Sequence, residues 1–400
     1  MSREISDAIH LGSLEVFHSM GEVDTCIREA KKALCEHNVK EALQKLKPFK
    51  KSLSSTDNVS LIQAFADAYL DDGQLEKAYP LLSRACELDA DGKQGGSEKF
   101  FTLGQATGGQ TGLSILLQGI ENISKEAGEE LNQEQTDKIV SGLLSMIEIW
   151  MTDLCMEAEA ETQCEELLGK AMEISDGKSP EVWSMLGSVR ISQQRFAEAI
   201  EAFTQSWNFF EIKRQDIERR SKAMEASSYE EHVQLLQPLL SLAKMCIEMG
   251  LYDISLNILN VVTDIDEDNL EAYYLQGFTY YMISKMEMFK LTNPDVVVKP
   301  ENMLEFNQHF KELSLDLNNE SLSETIHEAK IALSFAFRLG QNVGAMDELT
   351  YELVAGTEEI LDELGGPLSD QELAAVRKGA DGADIRDPDA MLDELCNEDI

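Results

Sequence analysis

Apolar and small residues recur along this chain at intervals of three and four, in blocks separated by short polar stretches. That spacing lines one face of an α-helix and predicts an all-helical protein. The blocks themselves repeat. Pro180-Glu181-Val182-Trp183-Ser184-Met185-Leu186-Gly187 is followed by Gln194-Arg195-Phe196-Ala197-Glu198-Ala199 and then by Phe203. Small residues at such places let two helices touch, and large ones fill the gaps beside them. A hairpin of this kind cannot bury its apolar face alone, so neighbours must stack on it.

The pattern resembles the tetratricopeptide repeat, with a unit of about 34 residues. Phe65-Ala66, Tyr69, Gly73, Ala78, Leu82 and Ala85 fit a second copy, and Leu239, Leu242-Ala243, Cys246, Gly250 and Leu259 a third. Tyr273, Gly277 and Tyr280 continue it, Phe100 to Gly104 opens a degenerate copy, and Cys26 to Phe49 reads as a first helix pair. Met151-Thr152, Cys164, Leu168 and Ala171 fit one more by apolar and small character. The expected fold is all-α: tetratricopeptide-like hairpins stacked in a right-handed superhelix, an α-solenoid, over 22–345. A segment 1–21 precedes it, and insertions are expected near 125–136, 213–234 and 285–323. Ile326 to Leu339 reads as a closing helix capped by Gly340. A further helix is expected over 346–366, then an acidic disordered tail over 367–400, with Gly379 to Asp384 as its least structured part and a short amphipathic stretch at Met391-Leu392-Leu395.

Charge changes the functional picture more than the fold. The formal net charge is −40, which argues against direct nucleic-acid binding, because phosphate affinity rests on Lys and Arg. Such a field attracts basic partners; solvated acidic helix faces are the plainer reading of the same number. The seven cysteines include no C-x-x-C pair and sit mostly at apolar helical positions, as reduced buried thiols of a cytosolic or nuclear protein do. The start of the chain lacks a signal-peptide core and no run reaches membrane-spanning length, so the expectation is a protein without membrane contact.

Chemistry is sparse. The six histidines show no metal-ligand spacing, and His10 and His18, eight apart, have no third ligand with them. The glycine-rich Gly104 to Gly112 lacks the Gly-Lys-Ser/Thr ending of a phosphate loop and no strand leads into it, so a turn between two helices explains it better. No nucleophile motif or kinase set is present. The chain reads as no enzyme, with no catalytic residues, no cofactor and no metal.

A binding surface is expected where the first helices of successive hairpins line the inside of the curve. Register puts Asp67, Asp71, Glu98, Phe101, Asp153, Glu157, Glu181, Ser184, Glu248, Glu271 and Tyr274 there, opposed only by Lys244. Carboxylates with aromatics between them suit an extended Lys/Arg-rich segment, through bidentate guanidinium pairing and cation–π contact. A co-chaperone clamp for a peptide carboxylate needs cations and Asn instead, whereas this chain offers Asp67, Asp153 and Ser188.

Longer strings carry a narrower resemblance. Glu98 to Gln105, Trp150 to Glu157, Cys164 to Leu168, Pro180 to Trp183, Val189 to Gln194 and Glu358 to Leu364 resemble a eukaryotic tetratricopeptide family. That family includes the dedicated assembly chaperone of large-subunit ribosomal protein four. The resemblance covers roughly 25–365 and implies capture of that newly made protein by its basic internal loop. It further implies escort of the client from cytoplasm to nuclear pre-ribosome; separately, a monomer is expected. A general acidic scaffold and a histone chaperone are the alternatives.

Overall fold

Side-chain caps and left-handed turns set the helix boundaries. The computed structural model describes residues 21–35, 38–128, 130–224, 228–342 and 348–383, and none of these forms a strand. The N-terminal segment 1–20 and the last part of the tail, with Met391-Leu392-Leu395, lie outside the described residues. The chain divides into two compact units, one ending at Lys178 and the other beginning at Ser179.

Unit 1 pairs α1 (21–35) with α2 (Val39–Leu46), α3 (Val59–Asp71) with α4 (Leu75–Leu88), α5 (Glu98–Thr107) with α6 (Gly109–Ala127), and α7 (Gln133–Met151) with α8 (Ala160–Ile174). Asn58 starts α3 by accepting the Leu61 N–H at 3.0 Å, and Asn132 starts α7 in a reciprocal capping box with Gln135. Ala30, Ala42, Leu46, Ile62, Phe65 and Ala78 form the buried core of the first four helices. The connection from α4 to α5 is organised around a buried carboxylate. Asp89 accepts the Gln94 N–H at 3.1 Å and the Gly95 N–H at 3.0 Å, and Lys99 Nζ donates to it at 2.7 Å with both side chains fully buried.

Unit 2 pairs α9 (Pro180–Ser192) with α10 (Phe196–Met224), follows a short α11 (Tyr229–Val233), and pairs α12 (Leu236–Glu248) with α13 (Tyr252–Ile265). The long α14 (Leu270–Thr292) packs on α16 (Ser323–Asn342), with α15 (Met303–Glu312) between them in sequence, and α17 (Glu348–Glu363) and α18 (Asp370–Ala383) complete it. Ser179 and Asn269 cap α9 and α14. The repeat signature is visible as packing: Gly187 of α9 lies against the fully buried ring of Phe203 on α10, where a Cβ would overlap the ring.

The turns confirm that the hairpins are copies. After α3, the Gln74 N–H reaches the Tyr69 carbonyl at 2.8 Å; after α9, Arg195 reaches Arg190 at 2.8 Å; after α12, Leu251 reaches Cys246 at 2.8 Å. The residue before each donor has positive φ: Gly73 at 70°, Gln194 at 59° and Gly250 at 68°. This is the left-handed helix stop that glycine enters without a Cβ penalty, and Gln194 holds it at some cost.

Several boundaries differ from the sequence reading. The polar stretch near 125–136 is mostly helix, since α6 runs to Ala127 and α7 starts at Gln133. The charged stretch after Lys213 extends α10 to 29 residues, as its composition suggested. The interruption from Lys285 is shorter than expected because α14 continues to Thr292 and α15 fills part of the rest. Gly340 does not cap α16; it lies inside the helix, against Val354. Residues 370–383, assigned to a disordered tail that includes Gly379 to Ala383, are helical as α18, anchored by the buried Leu373.

Candidate binding faces

In unit 1 the first helices of successive hairpins lie side by side, and polar side chains bridge them. Gln63 of α3 donates to the Gly95 carbonyl before α5 at 3.0 Å. Gln105 of α5 donates to Ser145 of α7 at 2.7 Å, and Lys138 of α7 reaches Glu98 of α5 at 2.5 Å. This face therefore carries Asp67 and Asp71 on α3 and Glu98 on α5. In unit 2 the same kind of face runs from α9 to α12, α14 and α17. Ser188 of α9 meets the Met245 sulfur at 3.9 Å, and Lys244 of α12 reaches Glu271 of α14 at 2.5 Å.

Asp67 is the costly carboxylate. Burial pushes its pKa up to about 6; Asp71 adds to the rise, and Lys31 of α1 opposes it. The native state therefore binds this proton more tightly than the unfolded chain does. Its ionisation costs nothing below pH ~4, and the penalty grows as pH rises to about 6. Replacing Asp67 by Asn should stabilise unit 1 by about 1–2 kcal/mol at pH 7, discounted for partial solvation, with the gain gone by pH ~4. Urea unfolding at both pH values checks this, and equal gains at both would assign the effect to something other than the charge.

The three first-turn glutamates share one local geometry. Glu98, Glu181 and Glu271 each lie in the first turn of α5, α9 and α14, where a negative charge favours the helix dipole. Each is held by a lysine. Burial pushes the Glu98 carboxyl up, but the hydrogen bond and charge of Lys138, a backbone N–H and the charge of Lys99 together outweigh it and hold the pKa below the usual value. Burial likewise raises Glu181, and Lys213 at 2.7 Å with the Ser179 hydroxyl at 2.8 Å brings it below. Lys213 stands on α10, so Glu181 faces the second helix of its own hairpin and not a neighbouring first helix.

Of the remaining expected residues, Phe101, Asp153 and Glu157 sit elsewhere, while Tyr274, Ser184 and Glu248 stand on first helices of unit 2. Phe101 is a core residue, buried between Gly119 of α6 and Gly142 of α7, so it is no part of an exposed groove. Asp153 and Glu157 are not on a first helix; they fall in the 152–159 connection from α7 to α8. Asp153 accepts the Gly109 N–H at 2.8 Å and caps α6, while Glu157 is exposed. The error is one of phase: the first helix of that copy ends at Met151 instead of starting there. Tyr274 is half-buried, stacked on Phe278 at 6.1 Å with its hydroxyl against Gly356 of α17. Ser184 is half-buried and Glu248 exposed.

Sequence reasoning named Lys244 but missed Lys138 and Lys213. Lys138 lies 40 residues after Glu98, the same separation as Gln105 to Ser145. That spacing is one hairpin plus its insertion, and it becomes a signal only when the repeat boundaries are known. Another missed feature ties α17 down: Lys285 of α14, itself buried, donates to Glu363 at 2.6 Å, and Tyr281 donates to the same carboxylate. Among the described residues no group of His, Cys, Asp and Glu is arranged to hold a metal, and no helix is long and apolar enough to cross a membrane.

Residues 268–386 match the family model described as the ACL4 C-terminal domain. A protein of Schizosaccharomyces pombe named "Probable assembly chaperone of rpl4" is 26% identical over 69% of this chain and 72% of its own length. An Emericella nidulans protein of the same name is 24% identical over 58% of this chain and 57% of its own length. A solved structure titled as the assembly chaperone of RpL4, residues 1–338, is 21% identical with a TM-score of 0.48, covering 67% of this chain and 99% of that one. The names of these relatives describe an assembly role and no reaction. Part of the second unit thus resembles the ACL4 C-terminal domain, and the chain is similar to these relatives over more than half its length.

Proposed function

We propose that this protein is an assembly chaperone for rpl4, without catalytic activity. The likeness over 69% of the chain to a relative of that name carries the reading. The charge supports it: at −40 the protein attracts a basic client from a distance, and Asp67, Asp71 and Glu98 lie on one face of unit 1. The client segment is the basic internal loop that the family resemblance implies. A newly made loop of this kind binds stray RNA or aggregates; acidic faces occupy its Lys and Arg side chains reversibly. On the pre-ribosome, RNA phosphates compete for the same cations, so release needs no ATP. The chaperone acts as a monomer, leaves nucleic acid to its client, and travels with it from cytoplasm to nucleus on the client's import signals.

Affinity purification in moderate salt, followed by titration of rpl4 with and without its internal loop, tests this. Loop-dependent, near-stoichiometric binding that weakens steeply with salt is expected. Reversing Asp67 and Asp71 together to Lys should weaken binding at least about tenfold with helical content unchanged. Equal binding of histones, or of basic proteins in general, would return the chain to the histone-chaperone or scaffold reading. Deleting the client's import signals should leave both proteins cytoplasmic.

A further inference from the structure

Two of the carboxylates on the faces are already occupied by cations of the protein itself. Lys138 of α7 sits on Glu98 of α5, and Lys244 of α12 sits on Glu271 of α14, each at 2.5 Å and each between first helices of adjacent hairpins. Both lysines remain open to solvent, with 34% and 45% of the side chain exposed, and Glu98 is 52% exposed, whereas Glu271 is only 14% exposed and must be met by an incoming cation as Lys244 leaves. Lys138 has a second partner on its own helix, Glu134 one turn earlier at 2.7 Å. An ammonium displaced from Glu98 therefore keeps a counter-ion. Lys213 differs: it holds Glu181 from within the same hairpin and shares it with Ser179, which is the arrangement of a structural cap.

We propose that Lys138 and Lys244 are internal competitors, filling in the free protein the carboxylates that Lys or Arg side chains of a basic client take in the complex. This rests on the client-binding reading above and adds a device to it. An acidic face with no cations of its own holds a basic segment too tightly and too indiscriminately for hand-over. A lysine tethered beside each carboxylate lowers affinity by exchange, one cation for another. It also favours clients rich in arginine, whose two-pronged hydrogen bonding to a carboxylate outcompetes a single ammonium. During release the lysine returns to its glutamate as the client side chain leaves, so the face is not left with a bare charge.

The test titrates rpl4 into the full-length protein and its Lys138→Gln and Lys244→Gln variants, singly and together. Lys138→Arg with Lys244→Arg serves as the charge-retaining control. Lys170→Gln, an exposed change on α8, controls for net charge alone. Each Gln substitution should tighten binding about two- to fivefold, in line with what exposed ion pairs are worth, and the two together roughly tenfold. The gain should appear chiefly as slower dissociation, while the Arg pair binds no tighter than wild type and Lys170→Gln changes little. Gln variants that bind no tighter than Lys170→Gln, with wild type binding normally, would overturn the competitor role and leave the chaperone reading intact. Absence of binding by wild type and variants alike would remove both.

Discussion

Replacing Lys99 by Met should destabilise unit 1 by about 3–5 kcal/mol, a large fraction of what a unit of this size holds. Lys99 and Asp89 are both 2% exposed. The ammonium donates to Asp89 and to the Gly96 carbonyl, and it lies 5.1 Å from the centre of the Phe100 ring. Without it the aspartate is a buried anion facing only two backbone amides. The loss should be recovered in part by the double variant Asp89→Asn, Lys99→Met, in which no uncompensated charge remains and the amide oxygen still accepts the loop N–H groups. Hydrogen exchange followed separately over α3–α6 and α12–α16 reads the effect unit by unit, which a single global transition does not. A Lys99→Met protein with unchanged protection in α3–α6 would show that the pair does not anchor the 89–97 connection.

Phe203→Ala should cost unit 2 about 3–5 kcal/mol. The ring is fully buried against Gly187 and belongs to a cluster with Ala199, Phe210 and Leu239. Its removal opens a cavity at the seam of α9 and α10 that the backbone contact at Gly187 prevents from collapsing. Gly187→Leu tests the same seam from the other side and should be as damaging, because the added side chain has to occupy the volume of the ring. Phe203→Leu should lose much less. Thermal unfolding of all three orders the effects. A Phe203→Ala variant as stable as Phe203→Leu would mean that the seam relaxes and that the small-residue pattern of the repeat is not what fixes helix contact.

The hairpins were legible because packing uses a short vocabulary. Gly187 and Phe203, or Gly73 and Gly250 at their turns, are residues for which few alternatives meet the same steric demand, so their spacing reports the fold directly. Phase was harder. The copy around Cys164 lacks such markers, so its first helix was placed from Met151 onward, although it ends there. That single slip moved Asp153 and Glu157 from a loop to a face.

By itself the sequence determined an all-helical chain of tetratricopeptide-like hairpins, an acidic surface, and a family likeness in strings such as Pro180 to Trp183. These are properties of residue type and local period, which a helix displays whatever its neighbours do. Tertiary structure alone decided which carboxylates stand free. Glu98, Glu181 and Glu271 look alike in sequence, as acids in a first helical turn, yet each meets a lysine that lies 27 to 40 residues away. Asp67 meets burial instead, and Phe101 turns into the core. Charge pairing and burial depend on what a neighbouring hairpin brings within a few ångströms, and that distance is fixed only when the hairpins have stacked.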